Sequence, residues 1–336
     1  MTDEIENSSP TMKDVAREAG VSLGTVSKVF NGIRVGEEYR RKVLQAADTL
    51  HYQVNSYARS LKTNRSNSIA LLIPTLKHPF FAALADEITA SLSRRGLRLI
   101  LFLTNYDLEA EQTSLTLVRQ HKADGVIGLT YHPDLVIDGS IPFVSIDRRF
   151  NAAVPCVSSD NFQGGQIAAQ KLIENGCRRL LYLRIGSYLA VEVNKRQTGF
   201  EDVCRRSGIP WDSQVLDDRT PVTVFYAWLR GRIKNGRLPY DGIFCNSDLL
   251  AGQIVSFLRS EGIAVPSDVQ VIGYDGIPDF FTGSCVCSTI VQPLHEMAET
   301  AVDLITASEN IQRPVLICLP VKYAPSGTTR DPSTRD

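Results

Sequence analysis

The spacing of apolar residues divides the chain into a short helical segment and a longer segment of alternating elements. From residue 12 to residue 53, apolar side chains recur at the spacing of helices that share a core. We expect this region to be all-α, with helices at 13–19 and 22–30. The apolar positions are Val15, Ala16, Ala19, Val26, Val29, Phe30, Val43, Leu44, Ala47 and Leu50.

Beyond Ser68, short apolar runs alternate with amphipathic helical stretches such as 81–95 and 165–174. This alternation predicts parallel β-sheets that are covered by helices on both faces. The runs that we expect to form strands are Ile69–Ile73, Leu97–Leu103, Gly125–Leu129, Pro142–Ile146, Leu180–Leu183, Gly242–Cys245 and Val269–Gly273.

The alternating pattern occurs twice. The run at 69–73 is followed by a predicted helix that ends in "RRG", and the run at 180–183 is followed by one that ends in "RRSG". Parallel sheets of this kind bind ligands at the carboxyl ends of their strands. We therefore expect two similar α/β lobes with a ligand cleft between them.

Charge is distributed unevenly between the two segments. The whole chain has 36 Lys and Arg against 37 Asp and Glu, but residues 11–65 contain ten basic and five acidic side chains. A basic helical head on a neutral-to-acidic body is typical of DNA-binding proteins. Residues 54–66 are polar and basic, which indicates a linker. With 43% hydrophobic residues among 336, the composition is that of an ordinary globular protein.

The cysteines and the N-terminus indicate a soluble protein of the cytoplasm. All seven cysteines lie beyond residue 150, and Cys285-Val286-Cys287 lacks the spacing of a zinc or redox pair. We expect reduced, mostly buried thiols. The first residues are acidic and polar, unlike a signal peptide, and no apolar stretch approaches the roughly 20 residues of a membrane span.

The residues from 13 to 31 predict a helix-turn-helix. Gly20 fits the turn, because glycine adopts left-handed backbone conformations at little cost. Ser22 is a good N-cap for the second helix. The alternative is an ordinary helical hairpin. Side chains that suit phosphates and base edges follow along the second helix at Thr25, Ser27, Lys28 and Asn31.

A long series of motifs accompanies this head. "DVAREAGVS", "TVSKVFNG", "RRKVLQAADTLHYQVN" and "ARSLK" are followed in order by "IPTLKHPFFAALADEI", "VSIDRR", "SSDNFQGGQ", "KRQTGFEDV", "VIGYDG" and "STIVQPL". In this order they resemble the LacI/GalR-type bacterial transcription regulators. The resemblance covers nearly the whole chain.

The resemblance implies an all-α helix-turn-helix head at 11–53 and a hinge helix or linker at 54–66. Residues 67–330 would form a two-lobed α/β effector and dimerisation domain with Rossmann-like parallel sheets, similar to periplasmic sugar-binding proteins. Two protomers of such a regulator address a pseudo-palindromic double-stranded DNA operator. The sequence lacks a terminal heptad segment, so we expect a homodimer without a tetramerising helix.

The resemblance also assigns DNA-binding positions. Leu23 could touch a thymine methyl, Gly24 leaves the backbone bare, and Gly36 replaces the serine that usually caps the third helix. Leu61 would act as a wedge that bends the duplex, the alternative being packing within a buried helix. Base edges correspond to Leu23, Gly24, Ser27 and Lys28, phosphates to Ser22, Thr25 and Asn31, and the minor groove to Asn55, Ala58, Leu61 and Lys62.

An effector, either a sugar or sugar derivative or alternatively a nucleobase, would bind between the lobes. Asp147, Arg196 and Asp275 match the polar anchor positions, since carboxylates and a guanidinium can grip vicinal hydroxyls. Their alternatives are helix capping for the aspartates and a surface salt bridge for the arginine. The remaining positions are Ser247, where the family usually has Asn, and the apolar walls Phe80, Phe81 and Phe225, whose alternative is core packing.

Other functions fit the sequence less well. Asp160 and Asn161 match a motif at the lobe junction, where either ligand contact or crossover structure explains them. A transport receptor would need an export signal, and an enzyme would need a motif such as GxGxxG, GxSxG or a P-loop, none of which is present. The five histidines have no metal-ligand spacing. We expect no catalytic residue, metal or cofactor; a regulator that has lost its effector response is a further possibility.

Overall fold

The structure is a computed structural model that describes residues 10–52, 66–120, 123–130, 132, 135–137, 139, 141–148, 154–186, 191–279, 281–307 and 315–330. Residue contacts divide the chain into two compact units, Met1–Ser66 and Asn67–Asp336. The predicted hinge residues Asn55, Ala58, Leu61 and Lys62 lie outside the described residues.

The described residues of the head form three helices around a small apolar core. Val15, Val26 and Val43 are fully buried at its centre, one from each helix. Gly20 ends the first helix with a left-handed φ of 62°, which glycine adopts without a steric penalty. The helices are α1 (Met12–Ala19), α2 (Leu23–Phe30) and α3 (Glu37–Thr49).

The second unit contains two lobes, each built on a six-stranded sheet. The first lobe has strands β1 (Ser68–Ile73), β2 (Arg98–Leu103), β3 (Gly125–Gly128), β4 (Phe143–Ile146), β5 (Cys156–Ser159) and β11 (Leu316–Leu319). The second lobe has strands β6 (Leu180–Ile185), β7 (Trp211–Leu216), β8 (Gly242–Cys245), β9 (Gln270–Asp275), β10 (Ser288–Val291) and β12 (Lys322–Ala324).

Helices cover both faces of each sheet. In β1, Leu71 packs with the helices on one face and Leu72 with the helix on the other, as the two-residue period of a strand requires. The first lobe contains α4 (Pro79–Arg94), α5 (Leu108–Gln120) and α10 (Leu294–Thr306), and the second contains α6 (Asn161–Glu174), α7 (Lys195–Ser207), α8 (Thr223–Arg230) and α9 (Asp248–Ser260).

The predicted repetition is present in the strand orders, β11-β5-β4-β3-β1-β2 and β12-β10-β9-β8-β6-β7. One detail differs from the predicted parallel sheets, because β12 pairs antiparallel with β10. The chain passes from one lobe to the other after β5, after β10 and after β11. These three crossovers lie at 159–161, 291–294 and 319–322, and the second of them contains Gln292, which lines the cleft.

Candidate functional site

The first turn of α2 is capped by Ser22. Its Oγ accepts a hydrogen bond from the amide of Thr25 at 3.1 Å and lies 2.9 Å from Thr25 Oγ1. This is the N-cap that the sequence predicts. Only one of the two hydroxyls donates within this pair, so the other keeps its hydrogen for an external acceptor such as a phosphate oxygen.

The first two residues of α2, Leu23 and Gly24, have no side-chain group that can form a hydrogen bond. Leu23 is 45% exposed, and a Cβ added at Gly24 would meet only Ser22 Oγ, at 3.6 Å. Farther along the helix, Lys28 is exposed and Asn31 Nδ2 donates to Ser27 Oγ at 3.3 Å. The N-terminus of α3 at Gly36 has no side-chain cap, as expected for glycine.

A cavity of about 200 Å³ lies at the carboxyl ends of strands from both lobes. Six of the seven predicted effector residues line it, namely Phe80, Phe81, Asp147, Arg196, Ser247 and Asp275. The structure therefore brings together residues that stand far apart in the sequence.

Asp147 follows β4 in a left-handed conformation with φ of 55°. Its Oδ1 accepts hydrogen bonds from Ser158 Oγ at 2.8 Å, from the amide of Ser159 at 3.3 Å and from Asn161 Nδ2 at 3.4 Å. Its Oδ2 is buried and has no hydrogen-bond partner among the described residues. Buried acceptors are normally satisfied, so this oxygen suits a ligand donor.

Arg196 lies in the first turn of α7 and is only 4% exposed. Its Nε donates to Asn161 Oδ1 at 2.7 Å and its Nη1 to the carbonyl of Asn246 at 2.6 Å. The guanidinium carbon stands 3.5 Å from the ring centroid of Tyr274, which is a cation–π contact. The alternative of a surface salt bridge is wrong, because the side chain is buried.

Asp275 ends β9 with a φ of 127°. Its Oδ1 accepts a hydrogen bond from Gln292 Nε2 at 2.8 Å and lies 3.8 Å from Arg196 Nη1. Gln292 Oε1 in turn accepts from Ser159 Oγ at 2.8 Å. Neither aspartate caps a helix, so the alternative of helix capping does not apply to them.

These contacts close into a ring of six residues from both lobes, which we call the anchor ring. Each member is at most 4% exposed, and each contacts the next by a hydrogen bond or, between Arg196 and Asp275, by an ion pair. The ring consists of Asp147, Asn161, Arg196, Asp275, Gln292 and Ser159.

The charges at the site are held in a buried environment. Burial raises the pKa of Asp275 well above its usual value, and the charge of Arg196 opposes this shift. Burial also raises the pKa of Asp147, again opposed by Arg196. Burial and then Arg196 lower the pKa of His78 to about 4, so this ring is neutral near pH 7. The charge of one arginine thus favours the ionised form of two buried carboxyl groups.

Two of the three predicted aromatic walls line the cavity and also belong to the core of the first lobe. Phe80 and Phe81 line the cavity with their rings 5.5 Å apart and edge to face, at 69°. Phe225 does not line it, and its predicted role as a wall is wrong. At 1% exposure, it packs in the core of the second lobe with residues such as Leu183 and Ile254, because α8 turns this face toward the sheet.

Two further predicted positions cap helices. Ser247 Oγ accepts from the amide of Leu250 at 3.2 Å, which leaves its hydroxyl hydrogen available to the cavity that it lines. Asp160 Oδ1 accepts from the amide of Gln163 at 2.9 Å and does not line the cavity. Together with the bonds of Asn161 within the anchor ring, this favours crossover structure over direct ligand contact for Asp160 and Asn161.

Sequence reasoning missed several cavity residues. Arg148 directly follows Asp147, and Arg184 is the penultimate residue of strand β6, where its Nη1 donates to Asn194 Oδ1 at 2.7 Å. The rule that polar residues at the carboxyl ends of parallel strands face the ligand would have found both arginines. The missed residues include His78, Arg148, Arg184, Asn194, Asp218 and Gln292.

The cysteines take no part in the cavity lining. All seven are free, five of them are buried, and Cys318 is exposed. Within the described part of the chain, no group of three or more His, Cys, Asp or Glu side chains could hold a metal ion. None of the helices among the same residues is long and apolar enough to span a bilayer.

Two family models match the chain. The model for bacterial regulatory proteins of the lacI family matches residues 11–55. The model for periplasmic binding proteins and the sugar binding domain of the LacI family matches residues 66–323, which is more than half of the chain.

Curated relatives extend over almost the same length. The chain is 33% identical to the ribose operon repressor of Bacillus subtilis (strain 168), over 95% of this chain and 98% of that protein. It is 30% identical to the HTH-type transcriptional repressor PurR of Erwinia tasmaniensis, over 88% of this chain and 89% of the relative.

Solved structures share the fold, and two illustrate the range. The lac repressor dimer bound to operator and the anti-inducer ONPF matches with a TM-score of 0.81 at 20% identity, over 96% of this chain and 99% of that one. The periplasmic binding protein/LacI transcriptional regulator from Alkaliphilus metalliredigens QYMF, complexed with D-xylulofuranose, matches with a TM-score of 0.68 at 28% identity, over 79% and 100%. With its helix-turn-helix head and its two-lobed cleft, this chain belongs to the lacI family of bacterial regulatory proteins.

Proposed function

We propose that this protein is a transcriptional repressor that binds a pseudo-palindromic operator as a homodimer, and that a monosaccharide held between its lobes controls its operator affinity. The observation that carries the proposal is the anchor ring, which presents two buried carboxyl groups and one guanidinium to a small cavity between the lobes. Such groups bind vicinal hydroxyls through paired hydrogen bonds.

The size of the cavity favours a single ring. At about 200 Å³ it is smaller than the roughly 300–1,000 Å³ of pockets for drug-sized ligands. A pentose or hexose suits this volume better than a disaccharide. Among the relatives, the name of the ribose operon repressor and the structure with D-xylulofuranose support a pentose as the first candidate.

The arrangement of the aromatic walls favours a sugar over a nucleobase. A flat base is held best between parallel faces, but the rings of Phe80 and Phe81 meet at 69°. The acceptors Asp147 Oδ2 and Asp275 suit hydroxyl donors instead. The likeness to PurR keeps a nucleobase as the competing outcome of the test.

The head would read DNA with a sparse set of side chains. Ser27 and Lys28 are the candidates for polar contacts to base edges, and Leu23 for contact with a thymine methyl. The phosphate contacts come from Ser22, Thr25 and Asn31, while Gly24 allows close approach, and the proposed minor-groove residues are Asn55, Ala58, Leu61 and Lys62.

A thermal-shift screen of the full-length protein tests the effector class. Ligands that bind only the folded state raise the unfolding midpoint. We expect D-ribose or another pentose to raise it, and sucrose and hypoxanthine to leave it unchanged. A shift with hypoxanthine and none with any monosaccharide would replace the sugar by a nucleobase.

Replacing Arg196 with Lys tests the anchor role. Lysine keeps the positive charge but loses the planar fork, so we expect the affinity for the bound sugar to fall about tenfold or more, measured by calorimetry. Arg206→Ala on the outer face of α7, where 70% of the side chain is exposed, is the matched control. Wild-type sugar affinity in Arg196→Lys, with the control also unchanged, would remove Arg196 from the site.

A further inference from the structure

Two of the crossovers are joined by one buried hydrogen bond. Ser159 stands at the end of β5 on the first crossover, and Gln292 follows β10 on the second. Ser159 Oγ donates to Gln292 Oε1 at 2.8 Å, and the two residues are 1% and 4% exposed. This bond therefore links the segments about which the two lobes would move relative to each other.

Each partner in this bond also holds one of the aspartates. The amide of Ser159 donates to Asp147 Oδ1 at 3.3 Å. Gln292 Nε2 donates to Asp275 Oδ1 at 2.8 Å, and the amide of Gln292 donates to the carbonyl of Asp275 at 3.1 Å. A change at either aspartate thus reaches the bond between the crossovers through one residue.

The donors and acceptors among Ser159, Gln292 and Tyr274 determine which group donates in each hydrogen bond. Gln292 has one acceptor oxygen, which receives the hydrogen of Ser159, and its amide nitrogen faces Asp275. Because the Ser159 hydroxyl has only one hydrogen, Tyr274 Oη, at 3.3 Å, must donate to Ser159 Oγ. Tyr274 also carries the guanidinium of Arg196 on its ring. Ser159 is therefore connected to Asp147 directly, to Asp275 through Gln292 and to Arg196 through Tyr274. Ser159 itself does not line the cavity.

We propose that the Ser159–Gln292 hydrogen bond transmits occupancy of the sugar site to the crossovers, and that Ser159 is a positioning residue for the arrangement of the lobes. This inference rests on the proposed function, since it assigns the regulation of the same site. A sugar that binds Asp275 competes for the carboxylate that holds Gln292, and the orientation of Gln292 sets the bond to Ser159.

Hydrogen exchange in the sugar-free, full-length protein tests the link without any assumption about the effector. We expect Ser159→Ala to speed exchange not only in its own crossover but also in the peptide that contains the amide of Gln292. The control is Ser288→Ala, which removes a buried hydroxyl in β10 that bonds Thr329 Oγ1 at 2.7 Å, away from the crossovers. Faster exchange confined to residues around 159, or equal exchange in both variants, overturns the inference.

A coupling measurement tests the transmission itself. The probes are D-ribose and a DNA duplex selected from a random library with the wild-type protein, and the readout is the ratio of operator affinities with and without D-ribose. Allosteric couplings typically span roughly 5–150-fold. We expect Ser159→Ala to reduce this ratio about fivefold or more, and to reduce D-ribose affinity by a smaller factor; Ser288→Ala should change neither.

A double-mutant cycle separates the bond from a general structural defect. If Ser159 acts through Gln292, Ser159→Ala has no further effect on the ratio in a Gln292→Met background. An unchanged ratio in Ser159→Ala, or strictly additive effects in the cycle, contradicts the inference. If D-ribose does not bind the wild-type protein, the proposed pentose is wrong, and the exchange experiment alone decides on the bond between the crossovers.

Discussion

The two anchor aspartates occupy equivalent positions in the two lobes. Asp147 follows β4 and Asp275 ends β9, the third strands of their respective sheets. Both have a positive φ, which costs a non-glycine residue roughly 1–3 kcal/mol and persists only where the surroundings enforce it. Here the neighbouring crossovers enforce it through hydrogen bonds. The cavity is therefore lined by the same functional group from both lobes.

Asp248 predicts a pH dependence of stability. Its Oδ2 accepts from the amide of Gly276 at 2.8 Å, and burial raises the pKa of this carboxyl to about 6, from 3.8. The folded state then holds the proton more tightly than the unfolded state, so its stability falls as the pH rises through this interval. Between about pH 4 and pH 7, Asp248→Asn should gain up to about 3 kcal/mol relative to wild type, measured by urea unfolding.

An exposed aspartate provides the opposite case. The amide of Thr282 and the other donors around Asp279 lower the pKa of its carboxyl, so its contribution to stability is present above 3.8 and is lost at lower pH. Asp279→Asn should therefore be less stable than wild type by a nearly constant amount between about pH 4 and pH 7, and this difference should shrink as the pH falls below 3.8. A pH-independent difference for Asp248→Asn would contradict the raised pKa.

The crossing of α6 and α7 determines where two members of the anchor ring lie. A Cβ at Gly165 would stand 2.0 Å from the carbonyl oxygen of Arg196, and a Cβ at Gly199 would stand 2.0 Å from that of Phe162. The two helix backbones are thus in direct contact through a reciprocal pair of glycines. This contact brings the first turns of both helices together, so that Arg196 reaches Asn161.

Gly199→Ala should separate these helices. A methyl group cannot be accommodated against a carbonyl oxygen, so we expect a loss of about 1–3 kcal/mol in unfolding free energy, together with weaker D-ribose binding. Gly252→Ala is the matched control, because its nearest neighbour, Val286 Cγ2, is 3.9 Å away, and alanine should add up to about 1 kcal/mol in the interior of α9. Similar stabilities of the two variants would show that the crossing is not tight.

The elements could be predicted from the sequence more completely than the site. The apolar runs located the edge strand β2 and six internal strands that are buried on both faces, namely β1, β3, β4, β6, β8 and β9. They did not locate the short internal strands β5 and β10, in which serine and threonine interrupt the apolar pattern. The edge strand β7 escaped prediction, since Asp212, Ser213 and Gln214 interrupt its apolar pattern and it is half-buried. Hydrophobic periodicity also indicates that a side chain is buried, but it does not indicate whether that side chain borders a cavity. For this reason it could not distinguish Phe81, which lines the cavity from the core of its lobe, from Phe225, which does not line it.

The anchor ring has no local sequence signal. Its members come from six separate positions between 147 and 292, and each is a common polar residue whose partner depends on the tertiary fold. The three anchors were expected only through the resemblance to a known family. Ser159 and Gln292 were not expected at all, because nothing in their neighbourhood distinguishes a buried hydrogen-bonding residue from a surface one.

The helix-turn-helix and the cavity lie in different compact units of the molecule. The head and the two-lobed domain are distinct compact units with their own cores. The basic excess lies in residues 11–65, whereas the cavity belongs entirely to the second unit. The proposed control of operator binding by a sugar therefore requires that the arrangement of the lobes act on the head through the segment that joins the units.

Deletion of residues 1–66 should leave a folded protein that binds D-ribose with the affinity of the full chain. Binding to the selected operator duplex should be lost, since the helix-turn-helix is removed. Calorimetry and fluorescence anisotropy measure the two affinities. Retained operator binding by residues 67–336 would show that the helix-turn-helix is not the DNA-binding part of the molecule.

Gly24 leaves one position in the first turn of α2 without a side chain, and this position bears on how a repressor of this family acquires new DNA sequences as targets. Around Gly24 there is open space beyond the hydroxyl of Ser22, so a larger residue meets no obstacle in the head. Any other residue except proline also raises helix propensity there, by up to about 1 kcal/mol. A single substitution at this position is thus compatible with the fold. If α2 contacts bases as proposed, such a substitution adds a base contact, and related repressors can diverge in DNA specificity at this position.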